Sequence, residues 1–299
     1  MKTLLYACNS KYIHSNPAVY SLKAACEKYT ALYGGYTGIL EVREFSINDS
    51  YEALLHGILT EEADILAFSV YIWNVDTVTR LCRDVRLADP ACKILLGGPE
   101  VSFGLSHTAV TEADYDYILA GEGERAFYCL LSRLENPAFR PPDAFDFREE
   151  DRTVRCAPIK NLSELPRIYT EQTLRCFENR ILYYEASRGC PYRCAYCLSA
   201  ACGTVRFLPL DRVYEDLSLF ISAGVPLVKF ADRTFNCRLD RTEAILLFLR
   251  NAYQTARENG LPFQTVFHFE VGADLFNQAL LDLLAQLPAG LIQIEAGIQ

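Results

Sequence analysis

The sequence predicts an α/β protein in two parts: a doubly wound, flavodoxin-like parallel sheet and, after a linker, a partial (β/α) barrel. Residues 1–135 alternate short apolar runs with segments of helical periodicity, the pattern of a parallel sheet with helices on both faces. Residues 136–178 are rich in proline and charge, which indicates a linker. Residues 179–299 resume the strand–helix alternation.

Five strands are predicted in the first part, each from an apolar run bounded by polar or turn-forming residues. They span residues 3–8, 39–45, 65–70, 93–96 and 117–120. Asn16 and Pro17 predict the start of the first helix, because proline fits the first helical position. Asn74 predicts the cap of the third helix. The helices are expected from residue 17, over 51–59, from 75 to about 88, and over 124–134.

Four loops of the first part follow the carboxyl ends of its strands, at residues 9–16, 71–74, 97–100 and 121–124. In doubly wound sheets, ligands bind beyond these strand ends, where the strand order reverses. The glycines of the last two loops allow the backbone to approach a large ligand closely. This edge of the sheet is therefore the predicted binding site.

The second part is predicted to contain four strands and three helices that alternate along the chain. The strands are expected at residues 181–186, 227–231, 265–271 and 291–297, and the helices at 209–223, 241–258 and 276–287. Such repeats build a (β/α) barrel, whose active site lies at the carboxyl ends of its strands.

Three cysteines in a C-x3-C-x2-C pattern follow the first of these strands. Cys190, Cys194 and Cys197 can supply three thiolates, whereas an iron–sulfur cluster normally takes four. A four-iron cluster on three cysteines keeps one iron open for a substrate or cofactor. A zinc knuckle is the alternative, and Cys202 is the nearest candidate for the fourth ligand that zinc requires.

The segment 189–191 (Gly-Cys-Pro), the two further cysteines and the aromatic Tyr196 resemble the radical S-adenosylmethionine (SAM) superfamily. The resemblance implies a [4Fe-4S] cluster whose open iron binds the amine and carboxylate of SAM, with Tyr196 near the adenine. It also implies cleavage of SAM to methionine and a 5′-deoxyadenosyl radical, which removes a hydrogen from the substrate. Superfamily cores have more β/α units than the four predicted here, so the chain is expected to be truncated.

Polar residues at the strand ends of the second part are further candidates, because barrel enzymes build their sites there. The resemblance implies Asp232, Glu270 and Glu295 in SAM binding, and Arg233 and Asn236 in catalysis. Helix capping and buried ion pairs are alternative roles for these side chains. His268 is expected to serve packing alone.

The loops after strands four and five are similar to those of the cobalamin-binding domain in B12-dependent radical SAM proteins. The matching segments are 95–100 and 118–124, and segment 9–16 resembles an uncharacterised branch of that family. The motif Asp-x-His-x-x-Gly, whose histidine binds cobalt in other methyltransferase domains, is absent, so the lower axial ligand is left open. A vestigial fold that binds nothing is the alternative. The resemblance implies cobalamin contacts by Asn9, His14, Ser69, Tyr71, Gly97, Gly98, Pro99, Gly121, Glu122 and Gly123.

The composition excludes several classes of protein. The chain has 299 residues, of which 51% are hydrophobic and 22% charged, which argues against disorder. A formal net charge of −9 disfavours nucleic-acid binding through a basic surface. Neither a signal peptide nor an apolar run long enough to span a bilayer is visible, so a cytoplasmic protein with reduced cysteines is expected.

These observations predict a radical SAM enzyme with cobalamin as its second cofactor, a small-molecule substrate and an external flavodoxin- or ferredoxin-type one-electron reductant. Methyl transfer and rearrangement are both open as outcomes. One alternative is a cobalamin-independent enzyme of the methylthiotransferase type, which would need a second cluster on cysteines such as Cys8, Cys82 and Cys129. Another is a non-catalytic sensor of cobalamin or of the cluster.

Overall fold

The computed structural model describes residues 1–199 and 203–297, so Cys202, the candidate fourth zinc ligand, lies outside the described residues. The chain divides into two compact units. The first comprises Met1–Ile159 with Leu165–Ile168, and the second comprises Lys160–Glu164 and the chain from Tyr169 onward.

The first unit is built on a mostly parallel sheet. Its strands are β1 (Lys2–Asn9), β2 (Ile39–Ser46), β3 (Ile65–Ser69), β4 (Lys93–Gly97), β5 (Tyr117–Leu119), β6 (Arg148–Glu150) and β7 (Thr153–Arg155). They lie in the order β2-β1-β3-β4-β5-β7-β6, and β6 is antiparallel to β7. The first five strands thus have the flavodoxin-like order, with its reversal between β1 and β3.

Helices cover both faces of this sheet, as predicted. They are α1 (Pro17–Tyr33), α2 (Tyr51–Leu59), α3 (Val75–Ala88), α4 (Pro99–Ser102) and α5 (Gly123–Glu135). Successive strand residues point to opposite faces, so β1 feeds two apolar cores. Leu4 and Tyr6 pack with residues of α2 and α3, whereas Leu5 and Ala7 pack with residues of α1 and α5. All four of these β1 side chains are fully buried.

The structure differs from the predicted linker at residues 148–155. There β6 and β7 form a hairpin that extends the first sheet, with Val154 paired to Leu119 of β5. Val154 is fully buried in the same core as Phe145. A single apolar residue between charged ones carries little periodicity, so within the predicted linker the sequence supports only a short strand or one arm of a hairpin at residues 151–157.

The second unit contains a parallel four-stranded sheet and a short antiparallel pair. Its strands are β8 (Leu182–Tyr184), β9 (Ser187–Arg188), β10 (Arg206–Phe207), β11 (Leu227–Phe230), β12 (Val266–Gly272) and β13 (Ile292–Gly297), and its helices are α6 (Leu210–Ser222), α7 (Leu239–Glu258) and α8 (Gln278–Ala285). The parallel strands lie in the order β13-β12-β11-β8, and β9 pairs with β10. The pair was not predicted, because two-residue strands have no readable periodicity.

The two faces of the four-stranded sheet differ in polarity. On one face, Tyr184, Phe230 and Phe269 are buried. The Tyr184 ring packs edge-on against Phe220 of α6, with ring centroids 5.3 Å apart. The other face carries polar side chains such as Lys229 of β11 and His268, its partner on β12. In the described ranges, no helix has the length and apolar character to cross a membrane.

Candidate functional site

The first candidate site lies at the carboxyl edge of the first sheet, where the strand order reverses. Glu44 of β2 holds the β1–α1 loop there. Its carboxylate accepts hydrogen bonds from the Asn9 side chain (2.9 Å), the Asn16 backbone N–H (2.7 Å) and the Tyr20 hydroxyl (2.8 Å). Three donors on one carboxylate define the path of this loop.

The position of His14 follows from that loop. The Asn9 side chain donates to the His14 carbonyl (3.1 Å), and the His14 ring Nδ1 lies 3.2 Å from the Ser10 hydroxyl. Asn16 is 4% exposed and donates from Nδ2 to the Ser69 hydroxyl at 2.9 Å, while its buried Oδ1 has no hydrogen-bond partner among the residues that the structure describes. Glu44 thus links Asn9 to Asn16, and Asn16 links this loop to Ser69. Sequence reasoning had treated Asn16 only as a helix cap.

The β3–α3 loop is fixed by Asn74. Its side-chain amide donates to the carbonyls of Cys8 (2.9 Å) and Ser69 (3.0 Å) and accepts from the Tyr71 N–H (2.8 Å). Asn74 does occupy the cap position of α3, but its side chain makes no capping bond to the helix. It ties β1 to β3 instead.

Large apolar side chains are exposed in the loops at this edge. Tyr71 and Trp73 stack with ring centroids 4.4 Å apart. The exposed side chains are Tyr12, Ile13, Ile72, Trp73 and Phe103, with Ile72 75% exposed. Exposed large apolar side chains at a strand-order reversal, where doubly wound sheets bind ligands, suit a ligand site.

The glycine loops after β4 and β5 have different roles. Gly98 has φ of 118°, and a Cβ there would lie 2.3 Å from the Val70 carbonyl oxygen. This position therefore needs glycine, because the backbone after β4 passes close to the backbone after β3. Pro99 begins α4, and the Ser102 hydroxyl donates to the Gly98 carbonyl at 2.7 Å. Gly97 has only ordinary contacts around its Cβ position.

At β5, Gly121 has φ of 79° and open space around its Cβ position, so its backbone is accessible to a ligand. Glu122, in contrast, accepts the Ile159 N–H at 3.0 Å, and Gly123 packs under Leu22. These two residues have structural contacts within the unit, and their predicted role in cobalamin binding stays a prediction.

The second candidate site is the cysteine loop, whose described residues are 189–199 and 203–205. The antiparallel pair β9–β10 brackets it. Gly189 has φ of 110°, and a Cβ there would lie 2.8 Å from the Thr204 carbonyl oxygen. Within the loop, Cys197 N–H donates to the Cys194 carbonyl (3.1 Å), which forms a tight turn between two of the predicted ligands.

Cys190 and Cys194 are half-buried and Cys197 is exposed. In the described ranges, no group of three or more Cys, His, Asp or Glu side chains is placed to hold a metal ion. The three thiols therefore share one anchored loop but are not gathered into a ligand set. Metal-binding energy ordinarily supplies that last step.

Two tyrosines accompany the cysteines. Tyr196 is 72% exposed. The Tyr192 hydroxyl donates to Asp274 at 2.7 Å, beyond the end of β12. The loop thus has a hydrogen-bonded contact at Tyr192, whereas the Tyr196 ring is largely exposed.

Asp232, predicted to contact SAM, lies at the end of β11 and is 3% exposed. Its carboxylate accepts the N–H groups of Ala186 (2.8 Å) and Ser187 (3.0 Å) and the Ser187 hydroxyl (2.5 Å). Burial raises the pKa of Asp232 to about 7, and the bonds from Ser187 and Ala186 oppose that rise. The carboxylate holds the segment that leads into the cysteine loop, and its contact with SAM stays a prediction.

The two predicted catalytic residues have different environments. Arg233 is exposed. Asn236 is 1% exposed and exchanges two hydrogen bonds with the Gly272 backbone, at 2.9 and 2.8 Å. Asn236 thus joins the ends of β11 and β12, which sequence alone could not show.

Glu270 and Glu295 share the polar face of the second sheet with Lys229. The Lys229 ammonium lies 3.5 Å from Glu270 and 3.3 Å from Glu295. His268 was expected to serve packing alone, and this is wrong, because its Nε2 lies 3.4 Å from Glu295 on the same face. Residues two apart in a strand share a face, so His268 belongs with Glu270. Burial, then Lys229, lower the pKa of His268.

The cysteines of the first unit lie in its cores. Cys8, Cys82 and Cys129 are at most 1% exposed, and burial raises the pKa of Cys8 to about 12. Buried thiols of this kind are unreactive and poor ligands.

Comparison with known proteins agrees with this geometry. Residues 4–131 match the model of the B12 binding domain. The 2-(S-pantetheinyl)-carbapenam-3-carboxylate methyltransferase of Streptantibioticus cattleyicolor is 27% identical over 202 residues, 62% of this chain and 29% of that protein. The cobalamin-dependent radical SAM methyltransferase TokK of Streptomyces tokunonensis is 28% identical over 189 residues, 58% of this chain and 28% of that protein. This chain thus spans less than a third of either relative.

Among solved structures, the cobalamin-dependent SAM radical enzyme OxsB, with aqua-cobalamin and SAM bound, superposes with a TM-score of 0.72 at 16% identity. The match covers 100% of this chain and 44% of OxsB, and at this identity it shows the fold alone. Residues 4–131 thus match the B12 binding domain, and the resemblance to cobalamin-dependent radical SAM proteins drawn from the sequence is confirmed.

Proposed function

We propose that this chain holds the cobalamin and the iron–sulfur cluster of a cobalamin-dependent radical SAM methyltransferase. The observation that carries the proposal is the order of its parts. A B12-binding domain precedes a parallel sheet whose first strand, β8, leads into the C-x3-C-x2-C loop. Relatives named as methyltransferases support methyl transfer over rearrangement.

The carboxyl edge of the first sheet fits cobalamin in two respects. The exposed apolar side chains, Trp73 among them, suit the hydrocarbon of a flat macrocycle. The corrin rim carries carboxamides, whose N–H groups are hydrogen-bond donors. Asn16 Oδ1 is an acceptor that has no donor among the described residues. Gly97, Gly98 and Gly121 would present backbone to the ligand, and Asn9, Ser69 and Tyr71 would line the reversal between β1 and β3. His14 lies on the β1–α1 loop, and among these candidates it is the residue whose side chain, an imidazole, commonly binds metals.

The cysteine loop fits a cluster through the chemistry of its donors. Thiolates are the ligands that iron–sulfur clusters take, and Cys190, Cys194 and Cys197 lie within eight residues of one another. When bound, the cluster supplies the one electron that cleaves SAM, and cobalamin supplies a methyl carrier. Tyr196 would cover the adenine, and Glu270 and Glu295 would bind the ribose or amine of SAM beside Lys229. Arg233 would orient the substrate from the exposed end of β11.

The structure disfavours a second cluster in the first unit. Cys8, Cys82 and Cys129 are buried in its apolar cores. The methylthiotransferase alternative needs thiolates there. Burial raises the pKa of the Cys8 and Cys82 thiols, and a hydrogen bond with Cys156, then burial, raises the pKa of Cys129.

The proposal is tested by anaerobic reconstitution of the chain with iron, sulfide and hydroxocobalamin, followed by gel filtration. We expect a retained corrin spectrum and about four irons per chain. Replacing the three motif cysteines by alanine should remove the iron and leave the corrin. Cys237→Ala is the matched control, because Cys237 is a half-buried thiol of the same unit outside the motif.

Iron that persists in the triple-alanine variant, or a chain that retains no corrin, would contradict the proposal. Added SAM should perturb the EPR signal of the reduced cluster, since SAM would bind the open iron. A signal unchanged by saturating SAM would contradict the radical SAM assignment while leaving the cluster itself in place.

A further inference from the structure

The residues between Asp232 and Asn236 form a rigid segment beside the cysteine loop. Asp232 is bonded to Ala186 and Ser187, and Asn236 exchanges two hydrogen bonds with Gly272. Between them, the Phe235 ring stacks on Phe269 with centroids 3.9 Å apart. One end of the segment is therefore bonded to the chain just before the cysteine loop, and the other to Gly272 at the end of β12.

Thr234 lies in the middle of this segment and is 4% exposed. Its hydroxyl oxygen lies 3.6 Å from Cys190 Sγ, within the range of a hydrogen bond to sulfur. The same hydroxyl donates to the Arg233 carbonyl at 2.8 Å. One hydroxyl hydrogen thus has two acceptors within reach.

The state of the sulfur decides which acceptor is used. A Cys190 thiol can donate its own hydrogen to Thr234, which leaves the hydroxyl hydrogen on the Arg233 carbonyl. A metal-bound thiolate has no hydrogen and can only accept, so the Thr234 hydroxyl becomes the donor to sulfur. Hydrogen bonds to cluster sulfurs stabilise the more negative, reduced state and raise the reduction potential.

We propose that Thr234 is a positioning residue that hydrogen-bonds the Cys190 thiolate and raises the reduction potential of the cluster. This inference rests on the proposed function, since it requires the cluster on Cys190. The segment from Asp232 to Asn236 places the hydroxyl, so the donor needs no rearrangement when the cluster is bound. The carboxylate of Asp232 acts one step further away, by holding the start of the cysteine loop.

The experiment is an anaerobic, EPR-monitored redox titration of the reconstituted full chain without SAM. Thr234→Val keeps the shape and removes the hydroxyl. In this variant we expect the ratio of oxidised to reduced cluster at a fixed potential to rise about tenfold. For a one-electron couple, that corresponds to a midpoint potential about 59 mV more negative than that of the wild type. Thr234→Ser keeps a hydroxyl and should keep the wild-type midpoint.

Thr265→Val is the matched control. Thr265 is 2% exposed in the same unit, lies just before β12, and has no hydrogen-bond partner for its buried hydroxyl among the described residues. Removing this hydroxyl should leave the midpoint unchanged. If Thr234→Val does not take up iron, the pair Thr234→Ala and Thr234→Ser makes the same comparison.

A Thr234→Val or Thr234→Ala cluster with the wild-type midpoint would overturn the inference. An equal shift in Thr265→Val would do the same, because it would assign the effect to the loss of any buried threonine hydroxyl in the unit. Failure of the wild-type chain to take up iron would instead overturn the proposed function, so the two failures are distinguishable.

Discussion

Asp232→Asn is expected to change how the stability of the second unit depends on pH. Burial raises the pKa of Asp232 to about 7, against about 3.9 in an unfolded chain. A carboxyl with a raised pKa holds its proton more tightly in the folded state. The stability that this proton contributes is therefore complete below about pH 4 and is lost as the pH rises through 7.

The magnitude follows from the two pKa values. Between pH 5 and pH 8 the wild-type chain should lose about 2–3 kcal/mol of stability through this one group. The asparagine amide carries no charge, yet its oxygen can accept the Ala186 and Ser187 N–H groups and its NH2 can donate to the Ser187 hydroxyl. The variant should thus keep the hydrogen bonds and lose the pH dependence.

The assay is urea denaturation of the metal-free chain at pH 5 and pH 8, followed by far-UV circular dichroism. Trp73 is the only tryptophan and lies in the first unit, so its fluorescence reports that unit separately. Asp240→Asn is the control, because Arg238 lowers the pKa of that exposed carboxyl and it stays ionised throughout this range. A stability gap between Asp232→Asn and wild type that is equal at both pH values would refute the reasoning.

Two further predictions concern the carboxyl edge of the first sheet, with Trp73 fluorescence as the measurement. Gly98→Ala should destabilise the first unit by about 2–3 kcal/mol, because its Cβ would lie 2.3 Å from the Val70 carbonyl at a φ of 118°; an unchanged urea midpoint would contradict this. Asn74→Ala leaves two buried carbonyls and the Tyr71 N–H without their partner and should cost about 2–4 kcal/mol. It should also shift the Trp73 emission to the red, and an unshifted spectrum in the folded variant would show that Asn74 does not hold this loop.

Much of the fold was predictable because its elements are long and strongly patterned. The helix α2 begins and ends at the predicted residues, and the strands β2 and β4 differ from prediction by one residue at one end. The cysteine motif was equally visible, since its ligands are close in sequence. Short elements were less predictable, because two or three residues carry no period. The pair β9–β10 was not predicted, and the hairpin at residues 148–155 was anticipated only as a short strand or hairpin arm over 151–157.

The sequence by itself determined the alternation of strands and helices, the glycine loops and the three thiols, because periodicity and spacing are local properties. Only the tertiary structure decided which side chains hold these features in place. Asn16 bonds to Glu44 of β2 and to Ser69 of β3, Asn74 bonds to Cys8 of β1, and Thr234 reaches Cys190 across 44 positions of chain. Parallel strands bring their carboxyl ends to one edge of a sheet, so residues distant in sequence become neighbours there, and no local pattern encodes that meeting.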